Sequence, residues 1–283
     1  MTTIAGSTVL TGIIGWPVAH SLSPAMHNAG FAALGLDMAY VPLPVAAREL
    51  EAAVGGLRAL GFRGANVTMP HKAAVLPFLD YVSDDARLIE AVNTIVVDDD
   101  ALRGLNTDVA GFVAALREVV AEPLDGASAL VLGAGGAARA AVLGLLRLNV
   151  REITVVNRSP VRARELVRLL GALDGQARFE VVTLDALTGA AVRAAGILVN
   201  ASPLGMSEPL KVPGVLVDNI HRDHIVFDVV YGQRSTMPVE RARAVGARAI
   251  DGVGMLAWQA ALSFELWTGR DAPLEVMRSA VRR

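Results

Sequence analysis

The chain of 283 residues contains no cysteine, and only two of its 26 basic residues are lysine. The absence of cysteine excludes disulfides, thiolate nucleophiles and Cys-ligated zinc. The scarcity of lysine is informative because arginine stays charged at any physiological pH, whereas lysine can give up its proton. The two lysines, Lys72 and Lys211, are therefore candidates for chemistry that arginine cannot perform.

The sequence also lacks an apolar run long enough for a membrane span, although 53% of its residues are hydrophobic. A spanning helix needs about 20 apolar residues, and the richest stretch, 129–150, is interrupted by Arg139 and Arg147. No basic residue precedes Arg48, so the start lacks the features of a secretory signal or a transit peptide. A net charge of −2 does not favour a nucleic-acid partner. We expect a cytoplasmic protein that binds neither membrane nor nucleic acid.

The length exceeds what one hydrophobic core usually serves, which favours two domains. Strand-like and helix-like segments alternate in the first hundred residues. Ser23 followed by Pro24 is typical of a helix start, with the serine as N-cap. Pro42 and Pro44 place their strand at a sheet edge, because proline cannot donate to an interior ladder. Pro70 predicts the start of a further helix.

The second half of the chain has the pattern of a βαβ unit. An apolar strand over 127–132 leads through a glycine-rich turn into a helix that ends near residue 148, and the next strand covers 153–156. Short apolar runs at 197–199 and 225–229 suit strands buried on both faces. This alternation predicts a doubly wound parallel sheet.

Together these patterns predict an α/β fold with two domains. The N-terminal α/β domain covers 1–106 and also includes the C-terminal helices of 254–283. A Rossmann-type domain, a doubly wound parallel sheet, covers 107–253.

A dinucleotide-binding pattern, G-x-G-x-x-A, occupies the turn between the predicted strand and helix. Gly133 permits the tight turn, Gly135 lets a pyrophosphate approach the backbone, and Ala138 allows close helix packing. A glycine-rich turn without a ligand is the alternative. The position between a strand and a helix favours the dinucleotide.

The end of the second strand indicates which dinucleotide binds. An NAD enzyme would place an acidic residue there for the ribose hydroxyls, but this chain has Asn157 and Arg158. Arg158 and Arg162 lie at the start of a helix that we expect Ser159 to cap, and two guanidinium groups suit the 2′-phosphate of NADP. The alternative is that both are solvated arginines of an arginine-rich protein.

Several motifs in order resemble the shikimate dehydrogenase family over nearly the whole chain. They are HSLSP (20–24), NVTMPHK (66–72), AVNT (91–94), NTD (106–108), GAGGAARA (133–140), NRS (157–159), NASPLGM (200–206) and GVGMLAWQ (252–259). The resemblance implies an NADP-dependent reduction of 3-dehydroshikimate to shikimate, a step in aromatic amino-acid biosynthesis. It also implies a small-molecule substrate and a monomer or homodimer.

The resemblance implies a set of site residues. It makes Lys72 and Asp108 the catalytic pair. The implied substrate ligands are Ser21, Ser23, Thr68, Lys72, Asn93, Asp108, Tyr231 and Gln259. The implied cofactor ligands are Asp84, Gly133, Ala134, Gly135, Gly136, Ala137, Asn157, Arg158, Ser159, Arg162, Val229, Gly252 and Met255.

The chemistry of a carbonyl reduction independently favours Lys72. Hydride delivered to a ketone leaves an alkoxide, which needs a nearby proton donor and a positive charge. Lysine supplies both, while Asp108 would orient the ammonium group. An arginine could stabilise the alkoxide but could not readily pass a proton.

Each implied ligand has a structural alternative. Ser23 could serve only as a helix cap, and Asn93 could serve a strand-end turn. Asp84 and Asp108 could be acids of a first helical turn. His20, His27 and His71 are interpreted as supporting polar residues, Lys211 as a surface loop residue, and the pair His221 and His224 has no further metal ligands. We expect no metal.

Two segments depart from the family pattern. The segment from Tyr231 to Pro238 lacks the first proline of Y-x-P-x-x-T-P-L and has Met237 in place of the second, which puts the rigidity of this loop in doubt. Trp16 replaces a residue that is usually polar. Two other functions stay open: a paralogue acting on quinate with relaxed cofactor choice, and a retired NADP-binding regulator, which the retention of Lys72 and Asp108 disfavours.

Overall fold

The structure is a computed structural model that describes residues 4–173, 175–205, 212–232 and 235–282. It divides into two compact units. The first unit ends at Thr107 and resumes at Leu256, and the second unit runs from Asp108 to Met255. Each unit is built around one six-stranded sheet with helices, so the predicted two-domain α/β fold is confirmed.

The first unit contains a mixed sheet. Its elements are β1 (Val9–Gly15), α1 (Ser23–Ala33), β2 (Met38–Pro44), a 3₁₀ turn (Ala47–Glu49), α2 (Leu50–Ala59), β3 (Gly64–Val67), a second 3₁₀ turn (Leu76–Phe78), β4 (Tyr81–Val82), α3 (Asp84–Leu88), β5 (Thr94–Asp98) and β6 (Ala101–Leu105). The strand order is β2-β1-β3-β5-β6-β4, in which β1, β2 and β3 are parallel while β5 runs antiparallel to both β3 and β6. Strand β2 lies at the edge, as Pro42 and Pro44 predict. Side chains such as Ile14, Val54 and Val67 form the core beneath the sheet.

Two local predictions for this unit are wrong. The N-cap of α1 is Leu22, and Ser23 makes no capping hydrogen bond. The hydroxyl of Ser21 instead accepts a hydrogen bond from the backbone N–H of Ser23 at 3.3 Å, so an earlier serine serves this helix end. Pro70 does not begin a helix, because the backbone of the residues after it is held by neighbouring segments: the carbonyl of Lys72 accepts from the N–H of Val92 at 2.8 Å.

The second unit contains an all-parallel sheet. Its elements are α4 (Asp108–Arg117), β7 (Ser128–Leu132), α5 (Gly136–Arg147), β8 (Glu152–Asn157), α6 (Pro160–Gly171), β9 (Arg178–Thr183), a 3₁₀ turn (Leu184–Ala186), α7 (Gly189–Ala194), β10 (Ile197–Asn200), α8 (Gly214–Val217), β11 (Ile225–Asp228), α9 (Met237–Val245) and β12 (Arg248–Ile250). The strand order is β12-β11-β10-β7-β8-β9, so the chain direction across the sheet reverses between β7 and β10. Open parallel sheets bind ligands at the carboxyl ends of the strands beside such a switch point. The predicted doubly wound sheet is therefore confirmed.

Two further helices complete the chain. Helix α10 covers Gly252–Thr268 and α11 covers Leu274–Ser279. Although α10 is rich in apolar residues, no helix in the described part of the chain is long and apolar enough to cross a lipid bilayer.

Candidate active site

The turn after β7 has a backbone that requires glycine at its first position. Gly133 has a φ of +122°, and a Cβ atom there would lie 2.5 Å from the carbonyl oxygen of Ala201. Its N–H donates to the carbonyl oxygen of Val156 at 2.8 Å, which draws the turn against the neighbouring strand β8. No other residue fits both the φ and the space. The turn therefore closes as tightly as the G-x-G-x-x-A pattern predicts.

The other two positions of the pattern also have the features that the sequence predicts. Gly135 is the N-cap of α5, and the space where its Cβ would lie is open to 4 Å. Ala138 is fully buried in the first turn of this twelve-residue helix. The backbone N–H groups at the start of α5 are a favourable site for an anion, because the helix dipole adds to their hydrogen-bonding capacity. Ala134 lies in the same turn, and Gly136 and Ala137 are the first two residues of α5.

The end of β8 leads directly into α6. Asn157 fixes this turn, since its side-chain amide donates to the carbonyl oxygen of Ser159 at 3.0 Å. Ser159 occupies the N-cap position of α6, as the sequence predicts. Its side chain makes no capping hydrogen bond, so the predicted capping interaction is absent. Arg158 and Arg162 are both exposed. Their guanidinium groups are accessible to a charged ligand beside the start of α6.

Three predicted cofactor ligands lie together at the other side of the switch point. A Cβ on Gly252 would lie 2.5 Å from the carbonyl oxygens of both Val229 and Val230, so the start of α10 packs directly against the backbone after β11. Met255 follows Gly252 by one helical turn and is buried. The close approach explains why residue 252 is glycine.

A buried carboxylate anchors the segment that follows β11. Asp228 accepts hydrogen bonds from the Asn200 side chain at 3.0 Å, from the N–H of Val230 at 2.9 Å and from the hydroxyl of Thr236 at 2.7 Å. Burial raises the pKa of Asp228, while these donors oppose that rise. The Asp228 side chain thus holds both ends of the segment around 231–236, which lacks the first proline of the family pattern. Gln233 and Arg234, in its middle, lie outside the described residues, as do Met206 and Lys211.

Tyr231 and Asp108 are close enough to interact. Burial and the negative charge of Asp108 both raise the pKa of Tyr231, burial more strongly. Asp108 is buried in the first turn of α4. The second unit therefore brings together one predicted substrate ligand and one member of the predicted catalytic pair.

In the first unit, the predicted ligands follow the ends of β1 and β3. Thr68 comes directly after β3, and its N–H donates to the carbonyl oxygen of Ile14 at 2.8 Å. Lys72 is half-buried, and its carbonyl hydrogen bond with Val92 ties it to the segment that carries Asn93. Ser21 is half-buried and precedes α1. The unpredicted turn after Thr68 thus holds Lys72 against its neighbours.

The side chain of Asn93 is buried and its orientation is fixed. Its Oδ1 accepts from the backbone N–H of Thr107 at 2.7 Å, which leaves its Nδ2 to donate to the Thr107 hydroxyl at 2.9 Å and toward Oε1 of Gln259 at 3.5 Å. Gln259 in turn donates from Nε2 to the carbonyl oxygen of Leu256 at 2.8 Å. The two predicted amide ligands therefore lie side by side with defined donor and acceptor ends.

Four further buried polar residues, to which the sequence assigns no role in the site, bond to Asn93 or to each other beside these amides. They are Asn66, Thr94, Thr107 and Ser263. Asn66 accepts from the Tyr40 hydroxyl at 2.7 Å and donates to the carbonyl oxygen of Asn93 and the hydroxyls of Thr94 and Ser263. Asn66, Thr94 and Thr107 belong to the family motifs NVTMPHK, AVNT and NTD, which indicates that they lie near the site. Ser263 lies one helical turn after Gln259, so a helix there places both residues on the same face.

The remaining candidates have structural surroundings. Asp84 is exposed in the first turn of α3, where the hydroxyl of Ser83 provides the cap. His71 contacts the carbonyl oxygen of Val45 at 2.7 Å. His27 is fully buried and stacks on Tyr40 with ring centroids 4.3 Å apart; burial lowers its pKa to about 3. The described ranges contain no group of three potential metal ligands, and the rings of His221 and His224 lie against each other.

Comparisons with known proteins identify the family. Family models of the shikimate dehydrogenase substrate binding domain, the shikimate/quinate 5-dehydrogenases and the shikimate 5′-dehydrogenase C-terminal domain match residues 13–95, 115–204 and 252–282. The shikimate dehydrogenase (NADP(+)) of Rubrobacter xylanophilus is 49% identical, and the match covers 98% of this chain and 97% of the relative.

Solved structures agree with this result. The shikimate 5-dehydrogenase of Thermus thermophilus, in complex with NADP(H) and shikimate, is 37% identical with a TM-score of 0.85, covering 96% of this chain and 98% of that one. The quinate dehydrogenase of Corynebacterium glutamicum, in complex with NAD, is 34% identical with a TM-score of 0.88 and the same coverage. With near-complete coverage at this identity, the chain belongs to the shikimate dehydrogenase family.

Proposed function

We propose that this chain is an NADP-dependent oxidoreductase that reversibly reduces 3-dehydroshikimate to shikimate, with Lys72 and Asp108 as its catalytic pair. The observation that carries the proposal is the pair of fixed amides, Asn93 and Gln259, on the backbone network that also holds Lys72. Buried amides with defined donor ends suit a substrate that has several hydroxyl groups and a carboxylate.

The first unit, with the C-terminal helices, is the substrate domain. Ser21, Ser23 and Thr68 provide hydroxyl groups for the substrate, and Asn93 provides a donor from Nδ2. Gln259, beside Asn93, contacts the same ligand, and Tyr231 is a further proposed substrate ligand. These roles use polar groups at the start of α1, directly after β3, directly before β5 and within α10.

The second unit is the NADP domain. The turn at Gly133–Ala137 and the start of α5 hold the pyrophosphate, because that backbone is open and rich in N–H groups. Arg158 and Arg162, with Asn157 and Ser159 in the same turn, bind the 2′-phosphate through charge-assisted hydrogen bonds. Val229, Gly252 and Met255 line the nicotinamide end. Asp84, in α3 of the first unit, is a further proposed cofactor ligand.

Lys72 performs the proton transfer. Bound NADPH supplies the hydride that reduces the ketone carbon. The ammonium group of Lys72 donates its proton to the carbonyl oxygen as negative charge develops there, and its positive charge stabilises that oxygen beforehand. Asp108 orients the ammonium group. The reverse reaction uses neutral Lys72 to accept the proton of the hydroxyl group.

The proposal assigns the enzyme to the cytoplasm as a monomer or homodimer in aromatic amino-acid biosynthesis. It is tested by initial rates of oxidation of shikimate and of quinate, each with NADP and with NAD, followed at the NADPH absorbance band. We expect shikimate with NADP to be the preferred pair, because Arg158 stands where an NAD enzyme has an acid. A preference for quinate with NAD would contradict the proposal, and no activity with any pair would favour a nucleotide-binding regulator.

A further inference from the structure

We propose that Ser263 is a positioning residue for the substrate site, which joins Gln259 to Asn93 and fixes the orientation of both amides. The inference rests on the proposed function, because it assigns these amides to substrate binding. It concerns a residue that makes no contact with the substrate in the proposal.

The hydroxyl of Ser263 is fully buried and surrounded by polar groups. Together with the hydroxyls of Thr94 and Thr107 it forms a hydroxyl triangle, with oxygen separations of 2.8 Å from Ser263 to Thr94, 3.2 Å from Ser263 to Thr107 and 3.3 Å between the two threonines. Nδ2 of Asn66 lies 3.0 Å from the Ser263 hydroxyl. Every side of this triangle joins residues from different segments of the first unit.

The triangle holds the acceptor end of Asn93. Oδ1 of Asn93 lies 3.0 Å from the Thr94 hydroxyl and 3.3 Å from the Thr107 hydroxyl, in addition to its bond with the Thr107 backbone. With Oδ1 held by the Thr107 N–H and the two threonine hydroxyls, Nδ2 donates to the Thr107 hydroxyl at 2.9 Å and points toward Oε1 of Gln259 at 3.5 Å. Rotating the amide would bring its NH₂ group against the N–H of Thr107, which costs a buried hydrogen bond.

The same serine connects the triangle to Gln259. Ser263 lies one turn further along α10, and its hydroxyl donates to the carbonyl oxygen of Gln259 at 3.0 Å. A hydroxyl has one proton, so Ser263 acts as an acceptor toward Asn66 when that proton is on the Gln259 carbonyl. Each threonine hydroxyl also has one proton, which it gives either to Ser263 or to Oδ1 of Asn93. Removing the hydroxyl leaves Asn66 with one acceptor fewer and releases the contact between α10 and the segments that carry Asn93.

The position of Ser263 distinguishes its role from general packing. Thr268, later on the same helix, makes the same kind of bond from its hydroxyl to the carbonyl oxygen four residues earlier, Phe264, at 2.8 Å. Its further bonds go only to Arg270 and not to a substrate ligand. Thr268 is therefore a matched control for the loss of a helical hydroxyl.

The test compares steady-state kinetics and shikimate binding of Ser263→Ala, Thr268→Ala and the wild-type enzyme. For Ser263→Ala we expect the KM for shikimate, and its Kd by calorimetry, to rise about 5- to 20-fold, the effect of losing one or two buried hydrogen bonds. We expect kcat to change less than about threefold and the KM for NADP to stay at its wild-type value, since no reacting group is removed. Thr268→Ala should keep the wild-type KM for shikimate.

A second pair of variants keeps the inference falsifiable if Ser263→Ala does not fold. Thr94→Val and Thr107→Val each remove another corner of the triangle at nearly constant volume and should raise the KM for shikimate in the same way. In the double variant Ser263→Ala/Thr94→Val, the increase in the free-energy equivalent of KM should be smaller than the sum of the increases in the two single variants, because both substitutions break the same network.

Three results would overturn the inference: a wild-type KM in a folded Ser263→Ala protein, a fall in kcat with KM unchanged, or fully additive effects in the double variant. A lower melting temperature with unchanged KM would show a purely structural role. If the wild-type enzyme itself does not oxidise shikimate, the proposed function fails, which separates that outcome from failure of the role of Ser263.

Discussion

The proposed sites of the two units are built by opposite means. In the first unit, buried side chains from distant segments bond to one another, as Asn93 does with Thr107 and Gln259. In the second unit, the predicted cofactor site consists of a glycine turn, a helix start and the exposed Arg158 and Arg162. The pyrophosphate of a dinucleotide can be bound by local backbone N–H groups, whereas a small substrate with several hydroxyl groups is recognised by side chains in fixed orientations.

The difference has an energetic consequence. A buried polar network is costly to break, because each group that loses its partner stays away from water. An exposed guanidinium group that loses its ligand is solvated again at little cost. Substitutions in the first unit should therefore spread through the network, and those at the cofactor site should act locally.

The largest expected effect is that of Lys72→Ala. Because the proton donor is removed while the cofactor turn is untouched, kcat should fall by about 10²–10⁴ and the Kd for NADP should stay unchanged. Stopped-flow oxidation of shikimate and fluorescence titration with NADPH measure the two quantities. Lys72→Arg is the matched control: it keeps the charge and should still lose most activity. Full turnover in Lys72→Ala would contradict the assigned role.

A smaller effect is expected from Arg158→Ala. The loss of a charge-assisted hydrogen bond to the 2′-phosphate should lower kcat/KM for NADP by about 10- to 100-fold, with little change for NAD. The KM for shikimate should not change, since the contact is local to the second unit. Arg164→Ala, on the same helix, is the control. Equal losses with NADP and NAD would show that Arg158 does not select the cofactor.

Thr236→Val tests the buried part of the second unit. The variant keeps the shape of the side chain but removes the hydroxyl that donates to Asp228. The free energy of unfolding should fall by about 1–3 kcal/mol, measured by urea denaturation, because the carboxylate loses a donor in a buried site. Ser235→Ala removes a neighbouring half-buried hydroxyl, whose bond from the Arg243 guanidinium lies at the surface, and should change the free energy of unfolding by less than about 0.5 kcal/mol. Equal stabilities of the two variants would mean that Thr236 does not anchor the segment.

The smallest effect at neutral pH is expected from His27→Phe. The folded protein keeps His27 neutral down to a pKa of about 3, whereas the unfolded chain binds a proton below about pH 6.5. Wild-type stability should thus be lost as the pH falls from about 6.5 toward 3, by up to about 1.4 kcal/mol per pH unit from this group. Phenylalanine removes that contribution and conserves the stacking on Tyr40. Urea denaturation of both proteins at pH 7, 6 and 5 measures this contribution to the free energy of unfolding. If the two proteins showed the same pH dependence, the assigned role of His27 would be wrong.

Local patterns predicted the second unit more completely than the first. The turn at Gly133 follows from a φ that only glycine adopts readily, and the strand at Pro42 and Pro44 lies at the edge because proline lacks an N–H. The predicted helix start at Pro70 is wrong, since hydrogen bonds from neighbouring segments outweigh local propensity there. The Ser23 cap is wrong for a related reason: Ser21 is already in position to accept the N–H.

The sequence by itself determined the βαβ unit, the glycine turn and the position of the arginines after β8, and it predicts Lys72 as the proton donor. Each of these depends on residues close together in the chain. Only the tertiary structure decided how Asn93 is oriented, because that depends on Ser263 and Thr94, which are 169 residues apart. Local patterns specify backbone geometry, whereas the direction of an amide in a buried site is set by whichever donors and acceptors the fold places around it.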